Sequence, residues 1–160
     1  MTDTLPQIRK FLESTNIEFE IMDCDPNMAD TQVFCKEYNI KLEDSVNAII
    51  VKTKTGELKY VTCALLATNK LNINNVIRKK LEARKVSFAN AAETIKLTNM
   101  EIGGVTPFTL PDNLPIWIDS KIMNREYVIL GGGNRSSKIK ISPKIFNFTN
   151  NTEIVENLAN

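Results

Sequence analysis

Five of the six glycines fall into two clusters, Gly103-Gly104 and Gly131-Gly132-Gly133. Glycine lets a backbone take positive φ or come into direct contact with another group. Two apolar runs of strand length lie between the clusters, Pro115 to Ile118 and Tyr127 to Leu130. The expected arrangement is two glycine loops at the ends of paired strands, facing a common space. On these residues alone, the loops fit either plain hairpin turns or a backbone that holds a ligand.

The rest of the chain mixes helical and strand patterns. Leu5, Ile8, Phe11 and Leu12 repeat at helical spacing, with Asp3 or Thr4 as cap and Pro6 in the first turn. Phe19 to Met22 alternates like a half-buried strand, and Asp25-Pro26-Asn27 is a turn. Asp30 or Thr31 caps a short helix carrying Val33, Phe34 and Tyr38. Val46 to Val51 and Leu58 to Leu65 read as a hairpin about Lys54-Thr55-Gly56. Asn72 or Asn74 opens a third helix with Val76, Ile77 and Leu81 inward. Val86 to Phe88 is a short strand, and Asn90 caps a helix from Ala91 to Leu97. Ser142-Pro143 starts a last helical turn, and Ile154-Val155 adds late packing. Without strict βαβα alternation, this predicts an α+β domain with a mixed, strongly twisted sheet. No linker or repeat divides the chain, so one domain over residues 1–160 is expected.

Composition excludes several chemistries. There is no histidine, which removes Ser-His-Asp and Cys-His nucleophile systems and the usual zinc sites. No GxxxxGK[ST] or strand-linked GxGxxG is present, so no cofactor and no metal is expected. A net charge of +1 gives no global attraction to DNA or to anionic lipid. RNA contacts would have to be local, at Lys79-Lys80, Arg84-Lys85 or Lys138-Lys140-Lys144. Each of those clusters also fits a solvated face. No run reaches the roughly 20 apolar residues of a membrane span. The start of the chain lacks the pattern of a secretory signal. Three scattered cysteines, Cys24, Cys35 and Cys63, fit buried free thiols and a cytoplasmic location.

Gly103-Gly-Val-Thr-Pro107-Phe108, a strand ending in Ile118-Asp119 and a strand running into Gly131-Gly-Gly133 resemble the YbaK-like editing domains, also called prolyl-tRNA-synthetase-associated domains. The likeness runs from the first helix to about Pro143. It implies a sheet rolled into a partial barrel with helices packed outside and a pocket at one end. It also implies a trans-acting aminoacyl-tRNA deacylase that clears a small mischarged amino acid, such as cysteine or alanine on tRNA for proline. Aminoacyl-tRNA is then the partner, with a synthetase as a second one.

The resemblance implies roles for individual residues. Gly103, Gly104 and Val105 would bind the ester carbonyl through backbone amides, which need no ionisable group. Thr106, Pro107 and Asp119 would shape the amino-acid end, with Asp119 taking the α-amino group or ordering water. An Asp at a strand end also fits a turn cap. Gly131, Gly132 and Gly133 would form the far wall, and Arg135 at the rim would pair with phosphate. Lys79 and Lys80 would serve tRNA phosphates. Asn47 stands where the family carries a lysine, while Lys52 should point to the opposite strand face. A binding module that has lost turnover is the alternative, and a small-molecule binder unrelated to tRNA is a third. Asn99, in place of a family glycine before the loop, suits a positive φ.

Overall fold

The structure, a computed structural model, describes residues 3–160. Its strands form two sheets. Strands β1 (Phe19–Asp23), β6 (Val128–Gly131) and β7 (Ser137–Ile141) form one, in the order β1-β7-β6 and antiparallel throughout. Strands β2 (Val46–Thr53), β3 (Tyr60–Leu66), β4 (Val86–Phe88), β5 (Ile116–Asp119) and β8 (Thr152–Val155) form the other, in the order β4-β2-β3-β5-β8. In this second sheet β3-β5 and β5-β8 are parallel, so the sheet is mixed. A parallel bridge between Ser45 and Ile129 joins the two sheets. Both sheets are open, so the chain is a mixed α+β fold of two sheets, without the closure that a barrel needs.

Strand alternation sorts the core. Val46, Ala64, Leu66, Ile116 and Ile118 of the five-stranded sheet meet Val128, Leu130, Ile139 and Ile141 of the other. Helix α1 (Pro6–Glu13) lays Ile8 and Leu12 on the same core. Val51, Val61, Cys63 and Trp117 face the other way, against Ile77 and Leu81. Helix α2 (Thr31–Glu37) covers the back of the three-stranded sheet with Phe34 and Cys35.

Some expectations change. The two runs flanked by the glycine clusters do not pair: β5 lies between β3 and β8, while β6 pairs with β7. A 3-10 segment, Ser120–Asn124, intervenes and carries the chain from one sheet to the other. The third helix begins as a π-helical turn, Ile73–Ile77, and continues as a single α turn, α3 (Arg78–Lys80). Strand β7 falls in a stretch that reads as a basic cluster; Ile139 and Ile141 enter the core while the lysines occupy the opposite face.

Helix α4 (Ala91–Thr98) starts with a full capping box. Asn90 Oδ1 accepts from Glu93 N–H at 2.8 Å, and Glu93 Oε1 accepts from Asn90 N–H at 3.2 Å. Asn99 ends the helix in the left-handed region at φ 57°, which asparagine tolerates well. Asn90→Ala should lower stability by about 1 kcal/mol. Urea denaturation at constant m-value checks this, and an unchanged midpoint would show that the cap carries no weight.

Candidate active site

A cleft of about 260 Å³ opens beside β2, with Ala89 and Thr94 at one rim. Its floor is the start of β2, Val46 to Ile50. Asp30 and Thr31, at the N-terminal end of α2, form one wall. Ile102, Gly103 and Val105 form another, and Gly131 and Lys138 close the back.

The cleft exists because β4 is short. Strand β4 pairs only with Val51 to Thr53, which leaves the first half of β2 as an open edge. Along that edge Ile50 O accepts from Ala89 N–H, and Lys54 N–H donates to Lys85 O. Residues two apart present their backbone groups to the same side, so Ala48 presents its N–H and C=O to the cleft. Ser45 O, one residue out of phase, points the other way, toward Ala67.

Residues 101–105 supply the second set of backbone groups. Gly103 takes φ +90°, and the Arg135 guanidinium lies where a Cβ would stand, at 2.2 Å. Gly104 N–H is already used, donating to Glu101 O at 2.9 Å. That corrects the expectation of three carbonyl-binding amides. Gly103 and Val105 keep N–H groups with no acceptor among the described residues, and both line the cleft. The loop is welded to the second glycine cluster: Gly133 N–H donates to Gly104 O at 2.7 Å, and Glu101 N–H to Gly133 O at 2.9 Å.

Asn47 lies in the cleft floor, and its side-chain oxygen accepts from the Thr31 hydroxyl. Its amide nitrogen has no partner among the described residues. Lys52 is elsewhere, held by both carboxylate oxygens of Glu93 at 2.8 Å. That ammonium is the main reason Glu93 titrates below the usual carboxylate range.

Lys138 is the residue that reading the chain for motifs missed. It comes from β7, is 6% exposed, and reaches the back of the cleft. Its ammonium donates to Ala29 O at 2.7 Å and to Gly103 O at 3.0 Å, and lies 5.2 Å from the Phe34 ring centroid. Burial pushes its pKa down from the usual lysine range. Arg135 acts in the same direction; Cys24, Cys35 and Asp30 oppose it.

A model of the aminoacyl-tRNA editing domain family matches residues 25–148. The chain belongs to this family. It is also similar to the uncharacterized protein YwhH of Bacillus subtilis, at 20% identity over 141 residues, covering 88% of this chain and 87% of that protein. Several solved structures share the fold. The hypothetical protein APE2540 superposes with a TM-score of 0.82 at 20% identity, covering 96% of this chain and 99% of the other. A proposed trans-editing enzyme for prolyl tRNA synthetase superposes at 0.78 and 15% identity, covering 98% and 97%.

Within this editing domain the remaining sequence candidates scatter. Thr106 is fully buried beside the loop, with a hydroxyl that has no partner among the described residues. Pro107 turns to a separate hollow with Phe11, Leu110 and Phe148. Gly131 lines the cleft, whereas Gly132 and Gly133 are buried against Thr4, Leu5 and Ile8. Asp119 is fully buried outside the cleft; its Oδ1 accepts from Ala159 N–H at 3.3 Å and its Oδ2 lies 3.6 Å from Lys121. Arg135 is not a free rim cation: it donates to Pro26 O and Ile102 O and pairs with Asp30 at 3.4 Å. Lys79 is exposed, and Lys80 pairs with Glu153 at 2.7 Å beside Trp117. Neither lysine lines the cleft. No helix among the described residues is long and apolar enough to cross a membrane.

Proposed function

We propose that the protein is a trans-acting aminoacyl-tRNA deacylase that hydrolyses the ester of a small amino acid mischarged on tRNA, of the cysteine- or alanine-on-tRNA-Pro type. The observation that carries this reading is the pair of unused backbone donors, Gly103 N–H and Val105 N–H, in a cleft of an editing-family domain. Unused N–H groups on residues that line one space are suited to an oxygen that gains negative charge during acyl transfer. The cleft volume, about 260 Å³, is below the roughly 300–1,000 Å³ of ordinary small-molecule sites, which favours a small side chain. The fold shared with a proposed trans-editing enzyme for prolyl tRNA synthetase supports the same substrate class.

The ester carbonyl sits against the loop, the amino-acid side chain enters between β2 and α2, and the nucleotide end stays outside. In this reading Asp30, which lines the cleft and pairs with Arg135, receives the α-amino group, and Asp119, outside the cleft, does not. The nucleophile is water or a hydroxyl of the substrate itself, since the chain has no histidine. Asn47 supplies a neutral hydrogen bond to the substrate end. Its neutrality favours a second reading, a module that binds aminoacyl-tRNA without turnover.

A panel of mischarged tRNAs separates the two. Wild type is expected to deacylate at least one member, and Asn47→Ala to slow it about ten- to a hundred-fold through loss of one hydrogen bond. A wild type that binds aminoacyl-tRNA yet leaves the whole panel intact would overturn the deacylase in favour of the binding module.

A further inference from the structure

Lys138 is a buried cation whose known partners do not balance its charge. Two backbone carbonyls hold two of its three N–H groups. The third has no acceptor among the described residues. Cys24, Cys35 and Phe34 lie beside it, and no carboxylate among the described residues reaches it within salt-bridge distance. The Asp30 carboxylate nearby is exposed and shared with Arg135. Burying an ammonium without a counter-charge is strongly unfavourable, and a lysine in such a place commonly snorkels out or is replaced by an apolar residue. Here it points inward instead, to the back of the cleft that Gly103 and Val105 line.

We propose that Lys138 is a catalytic residue of this cleft, donating its third N–H to the substrate's ester carbonyl oxygen as that oxygen becomes an oxyanion. The inference rests on the deacylase reading above. In the step, a water oxygen bonds to the carbonyl carbon and the C=O π pair moves onto the oxygen facing Lys138. When the tetrahedral species collapses, that pair re-forms C=O and the C–O bond to the ribose breaks. One proton of the attacking water passes to the ribose oxygen as it leaves and the other is released to solvent from the new carboxyl, so the products are the free amino acid and the tRNA with its terminal hydroxyl restored. Lys138 stays charged throughout, so no proton is taken from it. Its bond to Gly103 O at 3.0 Å couples the ammonium to the loop that carries the unused backbone donors.

The test uses Lys138→Met, close in length and apolar, and Lys138→Gln, which keeps an N–H donor but not the charge. Circular dichroism and thermal unfolding establish that each is folded. Two substrates are compared: mischarged tRNA, and the matching 3′-aminoacyl-adenosine, which carries no phosphate. The expected result is a fall in kcat of about 100-fold on both substrates with KM little changed, the size seen when one oxyanion donor is removed. Unchanged kcat in a folded variant would overturn the proposal. So would a rise in KM confined to tRNA, which would make Lys138 a phosphate contact. An independent measurement is calorimetric affinity for a phosphonate analogue of aminoacyl-adenosine, a tetrahedral anion, against its neutral amide analogue. Wild type should prefer the phosphonate and both variants should lose the preference; equal preference in all three overturns the role of Lys138. If wild type hydrolyses nothing, the deacylase reading fails, and the phosphonate preference still decides whether Lys138 receives an anionic oxygen.

Discussion

Gly104→Val should abolish folding or lower stability by more than about 3 kcal/mol, beyond the usual penalty for overpacking. A glycine in a loop invites the opposite expectation, that a bulky replacement would block the ligand and leave the fold intact. The contacts rule this out. A Cβ at Gly104 would stand 2.1 Å from Asn134 O and 2.5 Å from Asn134 C. Both atoms are backbone, so no rotamer change relieves them. The neighbouring turn cannot withdraw either, because Gly133 N–H donates to Gly104 O and Glu101 N–H to Gly133 O. Gly131 is trapped in the same contact, its added Cβ falling 2.5 Å from Gly104 O. Equilibrium denaturation and expression of soluble protein read the effect. A well-folded Gly104→Val protein of near wild-type stability would show that the two loops are not in direct backbone contact.

Asp119→Ala should lower stability by about 1.5–3 kcal/mol, the range for a hydrogen bond to a charged group. For a domain of this size that is roughly a 5–10 °C drop in Tm. The rate constants of the protein that remains folded should not change. Asp119 and Lys121 act as a clamp on the end of the chain. The carboxylate accepts from Ala159 N–H, while Lys121 donates to Ala159 O at 2.7 Å. The paired bonds between Lys70 and Asn160 hold the same segment from the other side. Removing the carboxylate leaves a buried N–H without its acceptor and loosens the packing of Leu158 and Val155 against Trp117. A stable Asp119→Ala protein with a large loss of kcat/KM would return Asp119 to the substrate and refute the clamp.

Local signals marked much of this chain. The capping box at Asn90 and Glu93, the left-handed Asn99 and the hairpin of β2 and β3 are written in adjacent residues. Each depends on contacts a few positions apart, so each is legible without the fold. The absence of histidine and the clustering of glycines likewise point to backbone groups as the chemistry from sequence alone. What the glycines were for was not legible. The pattern allowed a ligand wall, yet Gly104 and Gly133 are small because two loops 29 residues apart in sequence touch through their backbones. Asp119 and Arg135 looked like site residues because charge at a strand end or a rim is ambiguous until its partner is known. Their partners are Ala159 in one case and Pro26, Ile102 and Asp30 in the other. Lys138 is the reverse case. In sequence it is one basic residue among Lys138, Lys140 and Lys144. Only the pairing of β7 with β1 and β6, and the packing of α2 over that sheet, turns its side chain inward. A strand's alternation determines that Lys138 and Ile139 face opposite ways; it takes the tertiary structure to decide that both faces are buried, and that one of them ends in the cleft.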